Sequence, residues 1–272
     1  MNFRFTTALC AVLSISSLTL ADDLILTGKR VLAQDTVVSA NAITFKGDAL
    51  VVTNGFKLTI EAKKSIVLEG TPRIVSFELR TVRVPADSGR SAGPIIINSP
   101  LLTGNILKIE DIGEDGMKGV GGITGTPGPN GRQGTQRDWN PWNGCIGGSN
   151  GTAGGQGGDG GNGGVGGNGG TGGTIIVNIK GGFTSGGTPR LDMNVTGGQA
   201  GVAGGPGAGG PGGQGGQGAP GTAYCGGTDA GPPGPTGRSG LQGIAGAAGN
   251  AGLIIDINQN SAQANSTRAS GR

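Results

Sequence analysis

Carboxylates are the side chains of this sequence best suited to acid–base chemistry, because its 272 residues include no histidine. Histidine is the commonest general base and the commonest zinc ligand. Five carboxylates could pair in a cleft, as they do in polysaccharide-degrading enzymes: Asp87, Glu110, Asp111, Glu114 and Asp115. Their sequence context is more typical of solvated turns. The sequence therefore predicts no catalytic residue, no metal site and no cofactor.

The aromatic side chains that could bind a partner are concentrated in two short segments, "QRDWNPWNGC" and "TAYCGGTD". Both tryptophans and the only tyrosine lie there, close to a cysteine. Exposed rings with polar neighbours suit stacking on a sugar or contact with a protein. The candidate binding residues are Trp139, Trp142, Tyr224, Arg137, Asp138 and Asn140. Alternatively, the rings cap the structure and shield a disulfide, and the two roles are compatible.

The N-terminal sequence "MNFRFTTALCAVLSISSLTLADD" is typical of a secretory signal peptide. It has a basic residue, Arg4, followed by an apolar stretch, and Thr19 and Ala21 occupy cleavage-site positions. A membrane anchor is the alternative, but the apolar stretch is shorter than the ~20 residues that a span needs. We therefore expect a signal peptide over residues 1–21 and a protein that is secreted or held at the cell surface.

Residues 22–112 are predicted to be rich in β-strands. Apolar clusters such as "AITF", "ALVV", "SIVL" and "TVRV" recur about every eight residues, and turn signals such as Asn54-Gly55 separate several of them. Short strands at even spacing predict a β-solenoid or a small sandwich. We favour the solenoid.

Most of the 63 glycines follow in residues 113–252, where they recur with a period of three. Four segments keep this period, and we number them run 1 to run 4: 113–134, 148–173, 198–221 and 231–252. A period of three matches the polyproline-II helix, which has three residues per turn. The runs therefore predict four such helices, with the Gly-Gly-x sequences of runs 2 and 3 covered by neighbours on two edges.

The order of the segments predicts how the runs lie. If successive runs alternate in direction, the strand-like sequences that flank them, such as "IIVNIK" and "RLDMNV", fall at one end. The loops 135–147 and 222–230 then fall together at the other end, and each loop carries one cysteine. This placement predicts antiparallel helices within one chain and a disulfide between Cys145 and Cys225, as an even pair of cysteines suggests in an exported protein.

Two other interpretations of the glycine-rich sequence fit less well. A collagen trimer needs one unbroken phase, but here the phase resets three times, and proline is scarce where Gly-Gly-x dominates. Ice binding needs a flat face of small side chains, and charged residues such as Lys118, Asp159 and Arg238 interrupt that regularity.

With this period, these run lengths and the cysteine-bearing turns, residues 113–252 resemble a known architecture. Glycine-rich bundles of polyproline-II (polyglycine-II) helices occur in the springtail antifreeze proteins and in the adhesin tips of some tailed phages. In the adhesin tips the distal loops carry receptor specificity, so the resemblance implies that role for residues 135–147 and 222–230. The region before residue 113 has no counterpart in the springtail proteins.

These patterns predict an all-β N-terminal region (β-solenoid or small sandwich) joined to a bundle of four antiparallel polyproline-II helices. The predicted domains are residues 22–112, the bundle with its flanking strands over 113–258, and a flexible tail over 259–272. The predicted function is that of a non-enzymatic, adhesin-like protein that binds a surface glycan or surface protein. A structural envelope or matrix role is the alternative. The 20 basic and 17 acidic residues are interspersed, so neither nucleic acid nor membrane insertion is expected.

Overall fold

Strands form the regular secondary structure of this protein. The computed structural model describes residues 12–13, 18–19, 23–80, 82–181 and 190–257. These residues form fifteen strands: β1 Val12–Leu13, β2 Leu18–Thr19, β3 Leu24–Leu26, β4 Lys29–Leu32, β5 Thr36–Gly47, β6 Leu50–Val52, β7 Leu58–Gly70, β8 Arg73–Val75, β9 Ile95–Gly104, β10 Ile106–Glu110, β11 Asp138–Asn140, β12 Gly144–Ile146, β13 Thr174–Gly181, β14 Arg190–Asn194 and β15 Leu253–Asp256.

Two predicted segments fall largely or wholly outside the part of the chain that the structure describes. The predicted signal peptide, residues 1–21, lies outside it except for β1 and β2. The predicted tail, residues 259–272, lies outside it entirely.

Two parallel sheets contain thirteen of the fifteen strands. The first sheet has the strand order β1-β4-β6-β8-β10-β14, and the second has the order β15-β13-β9-β7-β5-β2, with β3 also paired to β5. From β4 to β10, successive strands alternate between the two sheets. Neighbouring parallel strands need a long crossover connection. Here the crossover between two strands of one sheet contains a strand of the other sheet.

The apolar core draws residues from both sheets. In the second sheet Ile43 of β5 lies in register with Ile66 of β7, and in the first sheet Ile74 of β8 lies in register with Ile109 of β10. All four side chains are fully buried. Burial of an isoleucine stabilises the fold by roughly 1.5–3 kcal/mol. Each strand of the core supplies such side chains, so the apolar clusters of the sequence recur at the spacing of the strands.

The predicted fold class is wrong. The described residues form no helix, and their regular secondary structure consists of strands, almost all in two parallel sheets. The four glycine runs are extended segments that contain no regular element. The error has a physical cause. A glycine at every third position allows the backbones of neighbouring runs to approach closely. The same period is also that of a polyproline-II helix, and the prediction relied on that second meaning.

Two details of the strand prediction also differ. The "TVRV" cluster was expected to be a strand, but residues 82–84 belong to none, and residue 81 is outside the described part of the chain. By contrast, the sequences "IIVNIK" and "RLDMNV" do contain strands, β13 and β14.

The chain divides into two compact units. The first, which we call the sheet unit, comprises Met1–Met117, Asn168–Gly201 and Ala247–Arg272. The second, which we call the glycine unit, comprises Lys118–Gly167 and Val202–Gly246. Each of the four glycine runs is divided between the two units, so the units do not follow the sequence boundary at residue 113.

Backbone hydrogen bonds join the runs within the glycine unit at every third residue. Run 2 donates N–H groups to runs 1 and 4, run 1 donates to run 3, run 3 to run 2, and run 4 to run 3. For run 2 as donor, examples are Gly158 to Thr126 of run 1 (2.7 Å) and Gly160 to Arg238 of run 4 (2.8 Å). For the other runs, examples are Gly125 of run 1 to Ala208 of run 3 (2.8 Å), Gly210 of run 3 to Gly158 of run 2 (2.8 Å) and Gly237 of run 4 to Gly210 of run 3 (2.9 Å). Runs 2 and 3 therefore each contact three other runs, whereas runs 1 and 4 each contact two.

Side-chain oxygens in the third position of the triplets add further bonds between runs. Asp159 and Asn162 of run 2 accept from the backbone N–H groups of Arg238 (2.7 Å) and Leu241 (2.8 Å). Asn130 of run 1 accepts in the same way from run 3. A hydrogen bond of this kind contributes about 1 kcal/mol. Asparagine and aspartate at these positions therefore stabilise the pairing of the runs.

A cluster of charged side chains holds Glu114 in the sheet unit. The Arg80 guanidinium donates to both carboxylate oxygens of Glu114 (2.8 and 2.5 Å), and Arg90 Nε donates to Oε2 (3.1 Å). The Glu114 side chain is only 11% exposed. Burial raises the pKa of this carboxyl, but the hydrogen bonds from Arg80 and Arg90 outweigh burial and lower the pKa to about 2.

This lowered pKa predicts a loss of stability in acid. The stabilisation by ionised Glu114 is complete above its ordinary pKa of 4.5, and it is lost as the pH falls from there towards 2. The full effect is about 3 kcal/mol. We expect Glu114→Gln to lower the melting temperature at pH 7, and the difference from wild type to shrink as the pH approaches 2.5.

Thermal unfolding of both proteins between pH 7 and 2.5 tests this expectation. Glu78→Gln is the control, because Glu78 pairs with Lys29 where both side chains are nearly half exposed, and such pairs contribute little. Parallel stability profiles for wild type and Glu114→Gln would contradict the assignment.

Candidate functional site

A short antiparallel hairpin, β11 and β12, forms the first of the two cysteine-bearing loops. Trp139 and Cys145 lie directly opposite each other across the two strands. Asn140 forms the turn: its Oδ1 accepts from the backbone N–H groups of Trp142 (2.9 Å) and Asn143 (3.3 Å). Gly144 then has φ +74°, a left-handed conformation that glycine adopts without strain.

A disulfide joins this hairpin to the second loop. Cys145 and Cys225 are bonded, with their Cα atoms 5.6 Å apart, so the predicted pairing is confirmed. Cys225 is buried and Cys145 is exposed. Thr222 fixes the second loop, since its Oγ1 accepts from the Cys225 N–H (3.1 Å) and its own N–H donates to the Cys225 carbonyl (2.8 Å). The residues around the bond, 135–147 and 222–230, are called the tip below.

The three aromatic side chains of the tip have different environments. The Trp139 and Tyr224 rings, one from each loop, lie 5.4 Å apart between centroids and are tilted by 39°. This separation is typical of a favourable aromatic pair. Trp142 lies within the hairpin turn and is 90% exposed. Trp139 and Tyr224 therefore contact each other across the disulfide-linked loops, whereas Trp142 extends into solvent.

The three polar candidates differ in the same way. Arg137 and Asp138 are exposed beside Trp139, and both side chains are available to a ligand. Asn140 is half-buried and uses its side-chain oxygen within the turn. The structure thus brings all six predicted residues into the tip, with Asn140 positioning Trp142.

The sequence prediction missed a contact between the first loop and the end of run 3. Gln136 Nε2 donates to the carbonyl oxygen of Pro220 (3.4 Å). No sequence pattern marks this bond, because it depends on how the first loop meets run 3 and not on local spacing.

The five carboxylates considered for catalysis lie in the sheet unit, and each has a partner other than a carboxylate. Asp87 pairs with Arg80 (3.4 Å), Glu110 pairs with Arg73, and Asp115 accepts from the Gln199 N–H (2.6 Å). We expected Glu114 and Asp111 to be solvated turn residues, and this expectation is wrong for both. Glu114 is held by two arginines, and Asp111 is fully buried.

Asp111 is the one strongly buried carboxyl in this group. Its Oδ1 accepts from Ser76 Oγ (2.8 Å), and its Oδ2 has no hydrogen-bond partner. Burial raises the pKa of Asp111, the bond from Ser76 opposes this effect, and the resulting pKa is about 6. A cleft of about 720 Å³ in this unit is lined by apolar side chains and by five charged ones, Arg73, Glu78, Glu110, Glu114 and Asp115. Asp111 does not line this cleft, so its raised pKa has no effect on the chemistry of the cleft surface.

The described residues contain neither a metal-binding cluster nor a membrane-spanning helix. No group of His, Cys, Asp or Glu side chains in that part of the chain is arranged to hold a metal ion. No helix there has the length and apolar character needed to cross a membrane. In the comparisons with known proteins, no protein family, no curated protein and no solved structure matches this chain.

Proposed function

We propose that this protein is a secreted, non-enzymatic surface protein that uses its tip to attach to a surface glycan or surface protein. The exposure of Trp142 is the observation that carries the proposal. A tryptophan that is 90% exposed beside a disulfide-linked pair of loops gains nothing from burial in its own chain. A flat ring of this size buries a large area on a partner at a small cost in conformational entropy.

The neighbouring groups support the same function. Recognition sites combine apolar contact with a few polar groups that orient the ligand. Arg137 and Asp138 supply exposed charges of both signs within a few residues of Trp142. The disulfide and the Asn140 turn hold the loop before any ligand arrives, which reduces the ordering cost of binding.

The second function, a structural role in which the aromatic residues only cap the molecule, is favoured by one observation. Trp139 and Tyr224 contact each other across the two loops, as a cap would require. The two functions make opposite predictions for Trp142, since that ring contacts neither of the other two.

Trp142→Ala is expected to reduce binding to the target surface about thirtyfold, because loss of a central aromatic anchor costs about 2 kcal/mol or more. The melting temperature should stay close to that of wild type. A glycan and surface-protein array, probed with wild type and variant, identifies the target and then measures this difference.

Trp139→Ala is the matched variant, because Trp139 is a tryptophan of the same loop with a partner ring. We expect it to lower the melting temperature as well as the affinity. If Trp142→Ala lowers the melting temperature and the folded fraction binds as wild type does, Trp142 is part of a cap and the recognition function is wrong.

A further inference from the structure

Two short strands of the predicted signal peptide pair with the sheet unit. β1, Val12–Leu13, pairs with β4 and is an outer strand of the first sheet, and β2, Leu18–Thr19, pairs with β5 and is an outer strand of the second. β4 and β5 are likewise one strand of each sheet, joined by residues 33–35. β1 and β2 therefore repeat, earlier in the chain, the step from the first sheet to the second that β4 and β5 make.

A cavity of about 280 Å³ lies beside both of these strands. Nine residues of β3 to β7 line it, of which seven are aliphatic and two are polar, Arg30 and Thr36. Two of the aliphatic residues lie next to the N-terminal strands. Leu32 is in register with Leu13 of β1, and Val38 is in register with Leu18 of β2.

The composition of the N-terminal segment suits this place. Residues 11–20, "AVLSISSLTL", contain six aliphatic residues and no charged one. If the segment is removed, β4 loses its strand partner at Val31–Leu32, and β5 loses its partner at Val38–Ser39. A strand edge without a partner readily pairs with another extended segment, and the aliphatic lining of the cavity favours an apolar one.

We infer that β1 and β2 cap the sheet unit in the uncleaved chain, and that cleavage after Ala21 frees the cavity and the two strand edges to bind an extended aliphatic segment. The same stretch of sequence then has two roles, as an export signal and as a part of the fold. Export processing would thereby open a binding surface that the precursor keeps closed. This surface belongs to the sheet unit and is separate from the tip.

Binding of a synthetic peptide tests the inference. The peptide of residues 11–20 should bind the chain that begins at Asp22 with a dissociation constant in the micromolar range. A peptide of the same composition in scrambled order should bind at least tenfold more weakly. The uncleaved chain should bind neither peptide, because its own β1 and β2 occupy the strand edges.

Two neighbouring valines of β5 provide a matched pair of variants. Val38 lines the cavity and pairs with β2, so Val38→Asp should weaken peptide binding at least tenfold. Val37 is 37% exposed and does not line the cavity, because successive side chains of a strand point to opposite faces. Val37→Asp should leave peptide binding unchanged. Melting temperatures establish that both variants are folded.

Hydrogen exchange in the uncleaved chain tests the cap without truncation. The double variant Leu13→Pro, Leu18→Pro removes two backbone N–H groups from β1 and β2. Exchange should become at least tenfold faster in residues 29–32 and 36–39 and stay unchanged in β9. Unchanged exchange in both segments would overturn the inference. So would equal peptide binding by the cleaved and uncleaved chains, or peptide binding by Val38→Asp as tight as that of wild type.

N-terminal sequencing of the exported protein tests the cleavage separately. An exported protein that keeps residues 1–21 would show that the part of the inference that concerns cleavage is wrong, and the exchange experiment would still decide whether β1 and β2 form a cap. None of these measurements involves the tip, so their failure is distinguishable from a failure of the proposed attachment function.

Discussion

Gly213→Val is expected to destabilise the glycine unit by about 4 kcal/mol, at the upper end of what single substitutions do. A Cβ at this position would stand less than 3.0 Å from the backbone oxygen and carbon of Pro129 in run 1. Gly213 also donates to Gly155 of run 2 (2.8 Å) and accepts from Gly234 of run 4 (2.8 Å). A displaced Gly213 therefore disturbs three runs at once. Gly160→Val should act similarly, because its Cβ would meet the backbone of Gly207.

The matched control is another glycine of run 3. A Cβ on Gly205 would have no heavy atom within 4 Å, so Gly205→Val should change stability by less than about 1 kcal/mol. Asn162→Ala should lie between, at about 1 kcal/mol, since it loses the bond to the Leu241 N–H. Denaturant unfolding of the four variants measures the order. If Gly213→Val and Gly205→Val lower the free energy of unfolding equally, close backbone contact is not the reason that these positions require glycine.

Removal of the disulfide is the second change with a large expected effect. Cys145 and Cys225 are 80 residues apart in sequence, and closing a loop of that length stabilises the folded chain by roughly 4 kcal/mol on the chain-entropy model. The double variant Cys145→Ser, Cys225→Ser should lose most of this stability. Its melting temperature, compared with that of oxidised wild type, measures the loss.

Reduction of the wild type provides the control for this variant. Reduced wild type and the double serine variant should melt at the same temperature, because both lack the bond and keep the same loops. Mass spectrometry of the oxidised protein should find no free thiol at either position. Two free thiols, or a serine variant as stable as oxidised wild type, would contradict a stabilising role.

The strands could be predicted from the sequence more readily than their arrangement. "AITF" and "SIVL" lie in β5 and β7, because apolar residues at alternate positions favour a strand with one buried face. Their pairing could not be predicted, since parallel register depends on contacts between residues far apart in the chain. Ile43 lies beside Ile66, and Ile175 beside Ile254. Such pairs leave no local signal.

The glycine runs show the limit of a periodic pattern. The period correctly marked positions where side chains cannot fit, as at Gly213, but it was assigned to a helical bundle that the secondary structure contradicts. Asn162 shows a second limit. It stands in the open position of its triplet, which suggests a solvated residue, yet it bonds to run 4. Hydrogen bonds between runs depend on how several distant segments pack, so they cannot be predicted from the triplet pattern of one run.

The disulfide was predicted correctly, whereas the fold class was not. The disulfide followed from the two loops that each carry one cysteine, and the structure confirms it. The grouping of Trp139 with Tyr224 follows from the same bond, which brings their loops together. The difference between Trp139 and Trp142 could not be predicted, because it depends on the turn that Asn140 forms.

The order in which partner segments occur along the chain also sets when the molecule can finish folding. Gly154 of run 2 donates to Pro232 of run 4, and β13 pairs on one side with β15. During synthesis, run 2 and β13 therefore emerge well before these partners exist. Pairing over such long separations is slow, because the entropy of closing the loop is lost before the contacts form. The glycine unit therefore cannot be completed until run 4 has been made, and the second sheet cannot be completed until β15 has been made.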